Sequence, residues 1–208
     1  MSQFIIEMGS GNTCRNDIGM VREMIDAVDG SDSGKHEVVL KWQLFEFAPP
    51  NLPLEWSTFA YAYGYAAELG YHTTASVFDS ESLSFLERFR VSFVKIANRP
   101  RLYQMRHETL LPCVISVDAE SCNGIPGVTT LACVSKYPAD PADYMPMAPD
   151  DWQLPEWAYG ISDHTIGWDL YHTLKPAIIE KHFVLRHDAD NPDGGPFAVT
   201  PEQLAEVL

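Results

Sequence analysis

Tyr159-Gly160-Ile161-Ser162-Asp163-His164-Thr165 and Ala177-Ile178-Ile179-Glu180-Lys181-His182-Phe183 are the two stretches that decide the fold. Each reads as a short apolar strand ending in a histidine. The segment between them, from Gly167 to Pro176, has helical character. Strand, helix, strand implies a parallel pair, because parallel neighbours need a crossover connection. His164 and His182 then stand side by side at one rim of a sheet. A histidine at a strand end is more often a structural residue held by its own hydrogen bonds. Two at matching ends of adjacent strands, each two residues after a polar group (Ser162, Glu180), also suit a divalent metal with open coordination positions.

Working outward, the same alternation recurs along the chain. Strands are predicted at Phe4–Gly9, Glu37–Phe45, Tyr71–Phe78, Val91–Ala97, Pro112–Asp118 and Val128–Tyr137. Helices are predicted over Asn16–Val28, Leu54–Leu69, Asp79–Phe89 (with a capping residue at its start) and Arg101–Thr109, and a last one opens at Thr200-Pro201-Glu202. Ser121–Gly127 is too short and glycine-rich for a helix, and Pro138–Pro155 reads as a proline-rich loop. Eight strands with mostly helical connections predict an α/β fold, a compact (β/α)8 TIM barrel with a degenerate fifth helix. No composition break suggests a second domain, so residues 1–208 are expected to form one barrel domain.

Composition narrows the function classes. The 208 residues are 46% hydrophobic, enough for a substantial core, and carry a net charge of −15. That charge argues against nucleic acid and against an anionic membrane as partner, while leaving room for a small anionic substrate held by local lysines. The four cysteines, Cys14, Cys113, Cys122 and Cys133, form no C-x-x-C pair, which argues against a zinc knuckle. Cys113 and Cys133 sit in apolar runs, where a free cysteine behaves as a small hydrophobe. The N-terminus lacks the pattern of a signal peptide, and no apolar run approaches the ~20 residues of a membrane-spanning helix. The expectation is a cytoplasmic protein with reduced thiols.

Alternate residues of a barrel strand point inward, and barrel active sites lie at the C-terminal strand ends. Parity then collects Glu7, Lys41, Gln43, Ser76, Lys95, Ser116, Ser135, Tyr137, Ser162, His164, Glu180 and His182 at one mouth. Lys181 has the opposite parity and is expected against the helix layer. Buried charge is costly unless paired. Two accounts of Lys41 and Lys95 are open: each is paired with a glutamate, or both hold a phosphate or carboxylate together with serine hydroxyls.

These motifs resemble the sialic acid synthase family, barrel enzymes that condense phosphoenolpyruvate with an amino-sugar aldehyde. The resemblance runs in order through Phe4–Gly9, Val39-Leu40-Lys41-Trp42-Gln43, Ala75–Asp79, Val94–Ala97, Cys133–Pro138, Gly160–Thr165, Ile179–Phe183, Asn191-Pro192-Asp193 and Thr200–Leu204. It implies that His164 and His182 ligate a divalent metal, Mn2+ or Mg2+. It implies that Lys41, Lys95, Ser76, Ser116, Ser135 and Ser162 surround phosphoenolpyruvate. Glu7 would lie near the reacting carbons, and Gln43, Tyr137 and Asp193 would face the sugar. The catalytic set it implies is Glu7, Lys41, Lys95, His164 and His182.

The chain departs from the family pattern in two loops. After strand one the family usually shows Asn-His-Asn-Gly, where this chain reads Gly11-Asn12-Thr13-Cys14. After strand four it usually carries Gly-Ser-Gly-Glu, the glutamate reaching the sugar; here Ala97-Asn98-Arg99-Pro100 stands instead. The family's C-terminal antifreeze-like domain is not among these residues, so a homo-oligomer or a separate lid protein is an expected partner. The donor and metal side is kept and the acceptor side altered, which predicts a different or looser acceptor. Two other readings stay open: a non-catalytic or partner-dependent barrel that binds a phosphorylated ligand, and another metal-dependent aldolase or hydrolase.

Overall fold

The computed structural model describes residues 2–46, 49–120, 124–144 and 159–208. Eight parallel strands close into a barrel in sequence order. They are β1 (Gln3–Gly9), β2 (Glu37–Leu44), β3 (His72–Val77), β4 (Val94–Ile96), β5 (Cys113–Asp118), β6 (Thr129–Cys133), β7 (Gly160–Asp163) and β8 (Ile178–His182). The predicted TIM barrel is what forms.

The helices follow the predicted pattern, with boundaries set by local chemistry. The first connection is two helices, α1 (Gly11–Cys14) and α2 (Ile18–Ser31), rather than one. The break falls where Arg15 and Asn16 both adopt φ of 54° and Asp17 caps α2, its carboxylate accepting from the Met20 N–H at 2.8 Å. α2 then buries Val21, Met24, Ile25 and Val28, the stripe expected of a 3.6-residue period. α3 (Trp56–Glu68) and α4 (Ser80–Leu86) follow, the latter capped by Asp79, which accepts from the Ser82 N–H at 2.6 Å. After β4 the chain forms a 3-10 helix, Pro100–His107. α5 (Asp169–Leu174) crosses between the histidine strands, and α6 (Pro201–Leu204) is capped by Thr200, whose N–H donates to Gln203 at 3.0 Å.

Among the described residues between β5 and β6 none is helical, in line with the degenerate fifth connection. Cys122 there lies outside the described residues, as do most of the Pro138–Pro155 loop and the aromatic stretch from Trp152 to Trp157; the described part of the loop holds a short 3-10 helix, Pro141–Tyr144. β4 and β6 are shorter than predicted. β4 ends where the Arg99 N–H turns back to the Ala97 carbonyl at 2.7 Å and Pro100 follows without a donor. β6 ends four residues before the expected Tyr137.

Two apolar regions hold the barrel. Between sheet and helices lies the larger core, including Phe4, Trp42, Phe59 and Ile161. Inside the barrel, Ile5, Val39, Phe93, Val114 and Leu131, with Ile178, form a plug beneath the mouth. Each fully buried aliphatic contributes about 1.5–3 kcal/mol relative to exposure. Gly160 completes the plug by having no side chain: a Cβ there would stand 2.0 Å from the Ile178 carbonyl oxygen. The charged residues of the mouth, Glu7, Lys41, Lys95 and Glu180, follow the plug residues along their strands.

Candidate active site

That next layer is charged. Parallel register sets Glu7 beside Lys41 and beside His182, Ser76 beside Lys95, and Ser162 beside Glu180. Lys41 pairs with Glu7 and donates to Ser76 Oγ at 2.9 Å. Lys95 donates to Ser116 Oγ at 2.7 Å. Glu180 sits between the two lysines, 3.5 Å from Lys41 Nζ and 3.6 Å from Lys95 Nζ, and accepts from Ser162 Oγ at 2.8 Å. The first account of the lysines holds, since both are paired with glutamates; they also stand with serine hydroxyls at the floor of an open cavity.

Burial sets the protonation of this floor. Burial raises the Glu7 carboxyl, Lys41 opposes it, and Glu180 and Asp193 add to the rise; the result is about 7. Burial would also raise Glu180, but Lys41 and Lys95 outweigh it and hold it at about 2. Lys95 is pulled below the ordinary lysine value by burial, with Glu180 opposing. Lys41 feels the same burial penalty, but Glu180 and Glu7 reverse it and keep its ammonium firmly charged.

Gly9 shapes the β1 edge of the site. Its φ of +80° follows an irregularity in the β1–β2 register, and its N–H donates to Glu7 Oε1 at 2.9 Å. A Cβ on Gly9 would stand 2.1 Å from Thr13 Oγ1 and 3.3 Å from Asp193 Oδ2, so a side chain there would crowd the wall of the site.

The rim holds the histidines, their ring centroids 5.5 Å apart. His164 Nδ1 lies 2.6 Å from the Val134 carbonyl oxygen; a carbonyl can only accept, so Nδ1 carries the proton and Nε2 keeps its lone pair. Outer partners of this kind orient metal-binding imidazoles. His182 Nδ1 is buried with no hydrogen-bond partner, the nearest carboxylate oxygen being Asp193 Oδ1 at 3.5 Å. Burial holds His164 down to about 4, despite the opposing pull of the Val134 carbonyl, and holds His182 well below the ordinary histidine value with the help of His164 and Lys41. Both rings are therefore neutral near pH 7, the form that ligates metal. The orphaned nitrogen and the neutral pair fit a divalent cation with positions left open. Among the described residues no third His, Cys, Asp or Glu completes a closed cage.

Gln43 Nε2 donates to Asp193 Oδ1 at 3.3 Å, joining two of the residues expected to face a sugar. Tyr137 lies against His164, centroids 4.2 Å apart. Ser135 Oγ accepts from Asn98 Nδ2 at 3.2 Å. All the predicted site residues line one cavity of about 670 Å³. Lys181 lies on the far side of the sheet, against Asp163, as parity predicts.

The cavity also has walls that the sequence reading left out. Cys133 lines it beside Lys95, its thiol pushed up to about 11 mainly by burial, so it is a neutral wall and not a nucleophile. Its parity with Ser135 is the signal that would have found it. Phe78, Asn98, Arg99 and Arg101 line the cavity from loops, where no strand period exists to point at them. Among the described residues no helix is long and apolar enough to cross a membrane.

The comparisons with known proteins agree with this architecture. The chain is 31% identical over 178 residues to pseudaminic acid synthase of Helicobacter pylori, a match covering 74% of this chain and 51% of that protein. It is 30% identical over 139 residues to N-acetylneuraminate-9-phosphate synthase of Drosophila melanogaster, covering 57% of this chain and 37% of that one. It therefore spans about half the length, or less, of these curated relatives. The structure of an N-acetylneuraminic acid synthetase from Leptospira borgpetersenii superposes with a TM-score of 0.72 at 19% identity, covering 98% of this chain and 80% of the other. A truncated 3-deoxy-D-arabino-heptulosonate 7-phosphate synthase from Thermotoga maritima gives 0.64 at 13% identity, covering 99% and 84%. At such identities the structures speak for the fold alone. The NeuB family model matches residues 48–208, which takes in six of the eight strands, both histidines and Lys95 of the floor, and on that match the chain belongs to the NeuB family.

Proposed function

We propose that this barrel condenses phosphoenolpyruvate with an amino-sugar aldehyde, giving a 2-keto-3-deoxy sugar acid and inorganic phosphate. The observation that carries the reading is the floor itself. Two lysines share one glutamate, serine hydroxyls surround them, and two neutral histidines stand directly above. A small, strongly anionic donor would take over the lysines. Lys41 and Lys95, with Ser76, Ser116, Ser135 and Ser162, would hold its phosphate and carboxylate. Gln43, Tyr137 and Asp193 would orient the aldehyde so that its carbonyl carbon meets the donor's terminal enol carbon.

The new carbon–carbon bond leaves positive charge on the donor's phosphate-bearing carbon. Glu7 stands in the layer where that charge would develop. As a carboxylate it stabilises the cation or takes a proton from the water that adds there. Collapse of the adduct breaks the carbon–oxygen bond to phosphate, which departs toward the lysines. A divalent ion, Mn2+ or Mg2+, held by His164 and His182 would supply Lewis-acid polarisation of the aldehyde oxygen.

Incubating the full chain with phosphoenolpyruvate, Mn2+ and a panel of amino-sugar aldehydes tests the reading. Stoichiometric release of phosphate and a 2-keto acid is expected with at least one aldehyde. No release with any of them would sink it.

A further inference from the structure

Two cations of the cavity have no assigned task. Arg99 and Arg101 line it from the turn after β4 and the start of the following 3-10 helix, both exposed. Among the described residues neither guanidinium has a carboxylate within 4.0 Å, in a chain whose net charge is −15. Acids are nearby. Asp79 lines the same wall, but its carboxylate is committed to capping α4 at 2.6 Å from the Ser82 N–H. Glu46 also lines the cavity and makes no ion pair among the described residues. Arg99 lies over the Phe78 ring, 5.1 Å from its centroid, which fixes the guanidinium while leaving its donors free. Lys41 and Lys95, by contrast, are buried at the floor and already share carboxylates.

The place of these arginines in the barrel matters. Strand order closes β1 to β8, so the loop after β4 faces the ends of β8 and β1 across the mouth. The histidines and the donor floor mark the end of the cavity where the aldehyde reacts. A sugar with its aldehyde there would direct its other end across the same cavity toward the β4 loop.

We propose that Arg99 and Arg101 form an anion subsite for the acceptor, which carries a phosphate ester or a carboxylate at the end remote from its aldehyde. The proposal rests on the condensation reading for the position of the aldehyde. Guanidinium forks bind either anion through paired N–H donors.

Calorimetric titration of the full Mn2+-loaded chain, with phosphoenolpyruvate present, tests it with three probes: N-acetylmannosamine, its 6-phosphate, and the corresponding 6-carboxylate. At least one anionic probe is expected to bind ten-fold or more tightly than the neutral sugar; the preferred anion identifies the group. The double variant R99Q/R101Q should erase that preference while phosphoenolpyruvate affinity stays within two-fold. Both side chains are exposed, so a thermal midpoint close to that of the parent is expected and serves as the folding control. Equal binding of all three probes, no binding of any, or a preference that survives the double substitution would overturn the subsite. Phosphoenolpyruvate binding and turnover are read separately. Their failure would strike the condensation reading and leave the comparison of anionic with neutral probes to decide the subsite.

Discussion

Glu180 and Lys181 are neighbours in β8, yet they belong to two buried charge groups of opposite character. On the helix side, Lys181 Nζ donates to Asp163 Oδ2 at 2.9 Å and to the Thr165 carbonyl at 2.6 Å. The other Asp163 oxygen accepts from the Thr165 N–H at 2.8 Å and its hydroxyl at 2.7 Å. Trp168 covers the ammonium, 5.6 Å from ring centroid to Nζ. This group is closed: both carboxylate oxygens and the ammonium find partners inside the protein. On the barrel side, Glu180 is shared by two lysines at distances beyond a good hydrogen bond, and its Oε2 has no hydrogen-bond partner. His182 Nδ1 is left over as well. The same residue types form a structural lock on one face and an unfinished constellation on the other. Buried polar groups are normally satisfied, so the unfinished side is the one that awaits a ligand.

The comparison breaks most visibly through stability. Lys181→Met leaves Asp163 buried without its counter-ion, and about 3–5 kcal/mol of unfolding free energy should be lost. Urea denaturation measures it, and Asp163→Leu added to Lys181→Met should return much of the loss. Lys95→Met does the reverse. It removes a cation from a group that keeps Lys41, so the fold should hold while turnover of phosphoenolpyruvate falls about 10²–10³-fold, the scale of losing one preorganised charge-stabilising donor. If the two variants exchanged phenotypes, the division into closed and open groups would be wrong.

A smaller effect concerns the rim. His164→Ala should weaken Mn2+ binding by at least roughly 10–100-fold, the loss that removal of even an outer partner of a metal ligand causes. Titration calorimetry with Mn2+ alone reads this without any need for turnover. An unchanged affinity would assign the orphaned His182 nitrogen to some other ligand.

The faces of the sheet were legible because strand parity is a property of the backbone. Once the strand starting at Phe4 is recognised, Ile5 and Glu7 must share the inner face, and the same rule sends Glu180 inward and Lys181 outward. The vertical order was legible in several inner rows, where an apolar residue precedes the polar ones: Ile5 before Glu7, Val39 before Lys41, Ile178 before Glu180 and His182. What escaped was whatever the loops decide. Arg99 and Arg101 face the cavity because Pro100 and a 3-10 helix turn the chain there, and nothing periodic announces that turn. The short helix α1 escaped for a similar reason: Gly11–Cys14 is about one turn, too short to show any apolar period, whereas α2 was visible from Asn16 onward. The role of Glu180 was half legible. Parity put it inside, but sharing between Lys41 and Lys95 depends on distances across the barrel that no strand pattern contains.

The subtlest test separates the two glutamates of the open group by pH. Glu180 is held at about 2, so it stays ionised through the neutral range and contributes no slope there. Glu7 is raised to about 7 from an ordinary value of 4.5. Between those two values the folded chain binds a proton at Glu7 that the unfolded chain has released. Stability from this residue is therefore fully present below about 4.5 and is lost as pH rises through 7. Glu7→Gln removes the titration while keeping the shape. Relative to the parent, the variant should gain stability as pH increases from 5 to 8, by on the order of 1–3 kcal/mol in urea denaturation. Lys41 should carry the signature of the same event, since loss of Glu7 leaves Glu180 as its one remaining carboxylate within 4.0 Å among the described residues. A flat difference between variant and parent across that range would mean that Glu7 is ionised throughout. The open group would then be as closed as the pair of Lys181 and Asp163.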